Sequence, residues 1–191
     1  MAIKQFPKNK DNEHNFKTAY SEIALYNTFF DSSGQLKEAY QGHPGIHSLC
    51  LLLDHIEDKN DLWLVYQLCG KPLNKMLYST KGQFFNNQRI YEVNQNEDTF
   101  SILEENNGAQ FKIIIIKLLY ALCLLAKAGI VHCDLKAENV LIEINHQNRC
   151  VSSVKVIDFG TSLLFSDLNQ KVDITTPEYL PPEILEYIEM K

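Results

Sequence analysis

Asp134, Lys136 and Asn139 lie within six consecutive residues of the run His132-Cys133-Asp134-Leu135-Lys136-Ala137-Glu138-Asn139. Nineteen residues beyond Asn139 comes Asp158-Phe159-Gly160, and later Thr176-Pro177-Glu178-Tyr179-Leu180-Pro181-Pro182-Glu183. A carboxylate can accept a proton, an ammonium can neutralise an anion, and amide and carboxylate oxygens suit a hard cation. Taken alone, Asp134 reads equally as a helix cap or a turn, and Asp158 as a turn after a strand. Their order and the elements around them decide.

Those elements are legible. Val140 to Ile144 and Val154 to Ile157 are short β-branched runs around a polar turn, a hairpin that follows Asn139 and leads into Asp158. Upstream, Gln110 to Ala128 is the strongest helix, with Lys112, Lys117 and Lys127 on one arc and apolar residues around the rest. Such a helix needs partners around most of its circumference. Phe16 to Phe30 carries Ala19, Ile23, Tyr26 and Phe30 at helical spacing. The apolar runs His47 to Leu53 and Leu62 to Leu68 flank a charged turn and predict a second hairpin. Leu73 to Leu77 reads as a short helix. Tyr78 to Gln110, rich in Asn, Gln and Glu, reads as a long surface insertion in which Ile90 to Val93 could form a strand.

This order of motifs resembles the catalytic loop, metal-binding loop and activation-segment end of a eukaryotic-type protein kinase. The resemblance implies an α+β, two-lobed protein-kinase-like fold: an N-lobe sheet with one helix over residues 1–70, and a mainly helical C-lobe over 71–191. It implies ATP and Mg2+ as cofactors and a protein hydroxyl as acceptor. Asp134 would orient that hydroxyl and take its proton, and Lys136 would neutralise charge on the moving phosphoryl group. Asn139 and Asp158 would hold magnesium. Ala2-Ile3-Lys4 resembles the end of the family's V-A-I-K strand, so Lys4 would reach the α- and β-phosphates with Glu22 as its carboxylate partner. Lys8 and Lys10 are nearby alternatives. Leu62 to Gly70 resembles the strand and hinge that bind adenine. The Gln67 carbonyl and the Cys69 amide and carbonyl would pair with the base, Ala2 and Leu141 would sandwich it, and Tyr66 would be the gatekeeper or plain core.

Lys136 and Thr176 resemble the serine/threonine branch, in which that threonine buttresses Asp134 and Lys136. Ser162, Ser166 and Thr175 are possible phosphosites. Cys133 departs from the family, which has arginine there. A thiol cannot pair with a phosphate as arginine does, so activity is not expected to depend strongly on loop phosphorylation. The resemblance covers the middle of a kinase domain. No glycine-rich loop precedes Lys4, and neither the family's later helices nor the arginine that pairs with the Glu183 position follows. The fold is therefore expected to be incomplete at both ends, and a truncated pseudokinase acting as a binding module is the alternative.

Composition narrows the classes. The apolar share of 45% and charged share of 22% are those of an ordinary globular protein. A net charge of −6 with no basic stripe argues against nucleic acid. Five scattered cysteines with no C-x-x-C pair argue against a disulfide framework or zinc site and suit a reducing, cytoplasmic setting. The polar start is no signal peptide, and lysines interrupt Phe111 to Val131, so no membrane span is expected.

Overall fold

A computed structural model of the chain describes residues 1–8, 13–85, 88–167, 176–180 and 182. Lys10, Thr175, Pro181 and Glu183 lie outside the described residues. The architecture is mixed α+β. It begins with β1 (Ala2–Pro7) and α1 (Glu13–Phe29), followed by β2 (Leu52–Glu57) and β3 (Asp61–Tyr66). These strands form an antiparallel sheet in the order β1-β3-β2. The central strand explains why: Leu62, Leu64 and Tyr66 alternate inward and are buried, as one-faced packing of a sheet requires. Helix α1 covers that face. Its buried stripe is Ala19, Glu22, Leu25 and Phe29, while Ile23, Tyr26 and Phe30 are half-buried beside it. A carboxylate thus sits in the middle of the apolar stripe rather than at its edge.

The first hairpin forms as expected, but its leading strand starts at Leu52 rather than His47. Pro44–Ser48 is a 3-10 turn laid against the long helix, and Leu49 and Cys50 bridge to Val156. The apolar character of this run reflects contact with the second half of the fold, not strand pairing.

Next come β4 (Lys71–Pro72), α2 (Leu73–Leu77), β5 (Tyr78–Phe85), β6 (Gln88–Gln95) and α3 (Glu97–Lys127). The expected loose insertion is instead a regular antiparallel hairpin, Tyr78 opposite Gln95 and Gly82 opposite Tyr91, leading straight into a helix. Its apolar residues hide the pattern because they do not make a core: Ile90, Tyr91 and Val93 are exposed. The backbone ladder holds it. Asn96 caps α3, its side chain accepting from the Thr99 N–H at 3.2 Å.

Helix α3 is two helices joined at a break. Glu105 is extended, and Asn106, Asn107 and Gly108 are all left-handed, the conformation these residue types tolerate best. The second part is the expected Gln110 to Ala128 helix. It buries Ile114, Ala121, Leu124 and Leu125, while Phe111, Ile115, Ile116 and Leu119 are exposed. An 18-residue window of α3 has a mean hydropathy of 2.0, enough by length and composition alone to cross a membrane, and 22% of it is buried.

The chain continues through β7 (Ile130–Val131), β8 (Val140–Asn145), β9 (Cys150–Val156) and β10 (Leu163–Leu164). Strands β8 and β9 form the expected hairpin, with β4 added on β8, and β10 pairs with β7. One core lies under the first sheet. A second joins α1, α3, β7 and β9, and a third joins α2, α3 and the β8-β9 hairpin.

Candidate active site

A cleft of about 200 Å³ opens between the first sheet and the β8-β9 hairpin. Ala2 and Lys4 from β1, Glu22 from α1, Gln67 and Cys69 after β3, Leu141 from β8 and Asp158 after β9 all line it. These residues are widely separated in the chain. Pairing of Lys4 with Leu64 across β1 and β3, and of Leu141 with Pro72 across β8 and β4, fixes the two walls. The stretch between β3 and β4 passes so close to β8 that a Cβ on Gly70 would lie 2.1 Å from the Ile142 carbonyl oxygen.

Lys4 Nζ donates to Glu22 Oε1 at 2.8 Å and to Asp158 Oδ1 at 3.1 Å. Lys8, the alternative lysine, instead pairs with Glu57 at 2.8 Å on the exposed end of the sheet. The Glu22 side chain is 2% exposed and the Lys4 side chain 40%. Burial by itself would lower the Lys4 pKa, but the charges of Glu22 and Asp158 outweigh it and hold the amine above its ordinary value as an ammonium. The Tyr66 hydroxyl donates to the other Glu22 oxygen. Burial, then the adjoining carboxylate, pushes the phenol well above its usual range. Sequence reasoning missed this contact. The available signal was a tyrosine on the inward-facing set of β3, since a buried phenol needs a hydrogen-bond partner.

Asp158 has φ 64°, a left-handed backbone at a non-glycine residue. Such geometry costs on the order of 1–3 kcal/mol and persists only where the surroundings impose it. Here they do. The Ile157 N–H donates to the Asn139 carbonyl at 2.9 Å, and Phe159 is fully buried, pinning both flanks. The strain therefore aims the carboxylate toward Lys4.

Asp134 is held from several sides. Lys136 Nζ lies 2.8 Å from its Oδ2, and the Thr176 hydroxyl donates to its Oδ1 at 2.7 Å. Lys136 also donates to the Thr176 oxygen at 2.7 Å. Asn139 Nδ2 donates to the Asp134 carbonyl at 2.8 Å and to Oδ2 at 3.0 Å. Hydrogen bonding to Asp134, then its charge, raises the Lys136 pKa. His132 is buried and fixed by backbone groups: Nε2 faces the Ile157 carbonyl at 3.0 Å, and Nδ1 accepts from the Asp134 N–H at 3.3 Å. Burial lowers its pKa, so the ring is a neutral structural strut with its proton on Nε2. Cys133 is half-buried at φ 65°, and burial raises its pKa, which keeps the thiol protonated.

The donor set fits a magnesium-bound nucleotide. With its nitrogen turned to Asp134, Asn139 has its amide oxygen left for a cation, and Asp158 adds a carboxylate. Among the described residues there is no cluster of three or more His, Cys, Asp or Glu that could hold a metal alone. Magnesium commonly takes one or two protein oxygens and completes its shell with phosphates and water.

The sequence profile described as protein kinase domain matches residues 1–191. The chain is 27% identical to the serine/threonine-protein kinase dkf-1 of Caenorhabditis briggsae, covering 94% of this chain and 26% of that protein. It is 31% identical to the hormonally up-regulated neu tumor-associated kinase homolog B of Xenopus laevis, covering 80% and 20%. It is also 31% identical to the human homeodomain-interacting protein kinase 4, covering 66% and 22%. The chain spans about a quarter of the length of these relatives or less.

Proposed function

The chain belongs to the protein kinase domain family, and on that premise we propose that it transfers the γ-phosphoryl group of ATP to a serine or threonine hydroxyl of a protein. The observation that carries this reading is the Lys4 ammonium held in the cleft between Glu22 and Asp158. Lys4 binds the α- and β-phosphate oxygens, and Glu22 keeps its amine aimed at them. Asn139 and Asp158 hold magnesium, which when bound neutralises charge on the phosphate oxygens. The Gln67 carbonyl and the Cys69 amide and carbonyl pair with adenine, while Ala2 and Leu141 sandwich the ring. Asp134 accepts the hydrogen of the incoming hydroxyl and takes its proton as the new O–P bond forms and the bond from the γ-phosphorus to the departing ADP oxygen breaks. Lys136 balances charge on the group in transit, and Thr176 keeps both residues in place. Most of the catalytic effect is thus positioning and charge, the terms that dominate phosphoryl transfer.

We read residues 1–70 and 71–191 as two lobes hinged near Cys69 to Lys71. The five free cysteines among the described residues support a reducing, cytoplasmic setting. The exposed apolar side of α3, with Phe111 51%, Ile115 41% and Leu119 53% exposed, favours a second reading, a binding module of pseudokinase type. Transfer of labelled γ-phosphate to a generic protein substrate separates the two. Transfer that disappears in Asp134→Asn supports the enzyme. A folded chain with no transfer, or transfer that survives Asp134→Asn, rejects the assignment.

A further inference from the structure

Cys50 and Cys69 meet on the cleft wall with their sulfurs 3.8 Å apart, and both thiols are directed at the Gln67 carbonyl, at 3.9 and 3.5 Å. The sheet brings them together. Leu52 pairs with Tyr66 in antiparallel register, so the chain two residues before Leu52 runs beside the chain just after Tyr66, which brings Cys50 to Cys69. Among the described residues, no other two cysteines are in contact. Neither thiol has a part in the proposed transfer.

We propose that Cys50 and Cys69 are a redox modification site: a hydroperoxide converts them to a disulfide, and this closes the nucleotide end of the cleft. Its effect on nucleotide rests on the proposed function; its formation does not. Cys69 is half-buried and is the sulfur that meets the oxidant, whereas Cys50 is buried, 8% exposed. The Cys69 sulfur attacks the peroxide, forming an S–O bond as the O–O bond breaks. Sulfur loses two electrons, the Cys69 proton passes to the departing oxygen, and the peroxide is thereby reduced to water or an alcohol. The Cys50 sulfur then attacks the Cys69 sulfur, forming the S–S bond as the S–O bond breaks. The departing hydroxide takes the Cys50 proton and leaves as water. Burial, then the neighbouring Cys69, pushes the Cys50 thiol up to about 12, so the second step relies on proximity rather than on a standing thiolate.

A disulfide requires sulfurs about 2.0 Å apart, a closure of about 1.8 Å from the present distance. That closure draws the chain around Cys69 toward Cys50. It also removes both S–H donors from the Gln67 carbonyl, the group assigned to adenine.

The test treats the purified chain with a small hydroperoxide and follows two readouts. Intact mass should fall by two hydrogens, and a non-reducing digest should yield a peptide joining Cys50 to Cys69, released by dithiothreitol. Cys50→Ser and Cys69→Ser should each abolish that peptide, and Cys123→Ser should not. Affinity for a fluorescent ATP analogue should fall at least tenfold on oxidation, recover on reduction, and become insensitive to peroxide in Cys50→Ser. Conversion of Cys69 to a sulfinic acid without the link, or a link only between separate chains, overturns the proposal. A link that leaves affinity unchanged overturns the closure. A reduced chain that takes up no analogue yet forms the link supports the modification site and rejects the nucleotide reading instead.

Discussion

Replacing Lys4 by methionine, Glu22 by glutamine, and both together asks whether the cleft charges are one coupled unit. In Lys4→Met the Glu22 carboxylate, 2% exposed, keeps only the Tyr66 hydroxyl. Removing one partner of a fully buried ion pair costs about 3–5 kcal/mol. Because the Lys4 side chain is 40% exposed, water replaces part of what is lost, and the expected cost is about 2 kcal/mol. For a chain of this size that lowers Tm by about 4–8 °C. Glu22→Gln leaves Lys4 its Asp158 contact at 3.1 Å, so about 1 kcal/mol is expected. The double variant should cost at least about 1 kcal/mol less than the sum of the two. Urea unfolding followed by the fluorescence of Trp63, the chain's single tryptophan, gives all three numbers. The folded Lys4 pKa is raised, so its stabilisation is complete below the ordinary value of 10.5 and is lost as pH rises through the folded value. Lys4→Met should lack that alkaline loss. Costs that add within about 0.5 kcal/mol, or an alkaline limb unchanged in Lys4→Met, would refute the coupling.

Three further outcomes follow from the packing and the hydrogen-bond networks. Gly45→Ala places a Cβ 2.1 Å from the Tyr120 carbonyl oxygen and 2.8 Å from Leu124 Cβ, so the turn must leave α3 at a cost of about 3 kcal/mol; a Tm within about 2 °C of the parent contradicts this. His132 has a folded pKa below its ordinary 6.5, so the unfolded chain binds the extra proton and stability falls as pH drops below about 6.5. The difference in stability between the parent and His132→Gln should therefore change by up to about 1.4 kcal/mol per pH unit below that point, and a pH-independent difference contradicts it. Thr176→Val removes the 2.7 Å donor to Asp134 and should lower kcat about tenfold at constant KM for ATP, with Thr176→Ser recovering most of it. An unchanged kcat in the valine variant contradicts the buttressing role.

Where a pattern and a core coincide, the sequence was readable. Leu62, Leu64 and Tyr66 alternate because one face of β3 is buried, and Val140 to Ile144 is β-branched because β8 is central in its sheet. Of the β5-β6 hairpin only the Ile90 to Val93 strand was readable, since the ladder is made by backbone groups and the apolar side chains face water. The break at Glu105 to Gly108 is marked by Asn106-Asn107-Gly108, a run whose tolerance of left-handed backbone was the available signal. In the site, the resemblance of the motifs pointed to Lys4, Glu22, Asp134, Asn139 and Asp158, of which the structure brings Lys4, Glu22 and Asp158 into contact. The motifs could not indicate that Tyr66 shares Glu22, or that Asp158 is strained, because both depend on contacts between residues distant in the chain.

Labelling with an acyl phosphate of ATP, whose activated carbonyl acylates an amine near the phosphates, tests the account at its centre. Lys4 is held as an ammonium, so its acylation above background requires that the bound nucleotide bring the reagent to it. The expected result is acylation of Lys4 that excess ATP with magnesium suppresses, while modification of Lys8 on the sheet's outer end is unaffected by ATP. Lys4 modified no faster than Lys8, or modified equally with and without competing ATP, would contradict a nucleotide-phosphate site between Glu22 and Asp158.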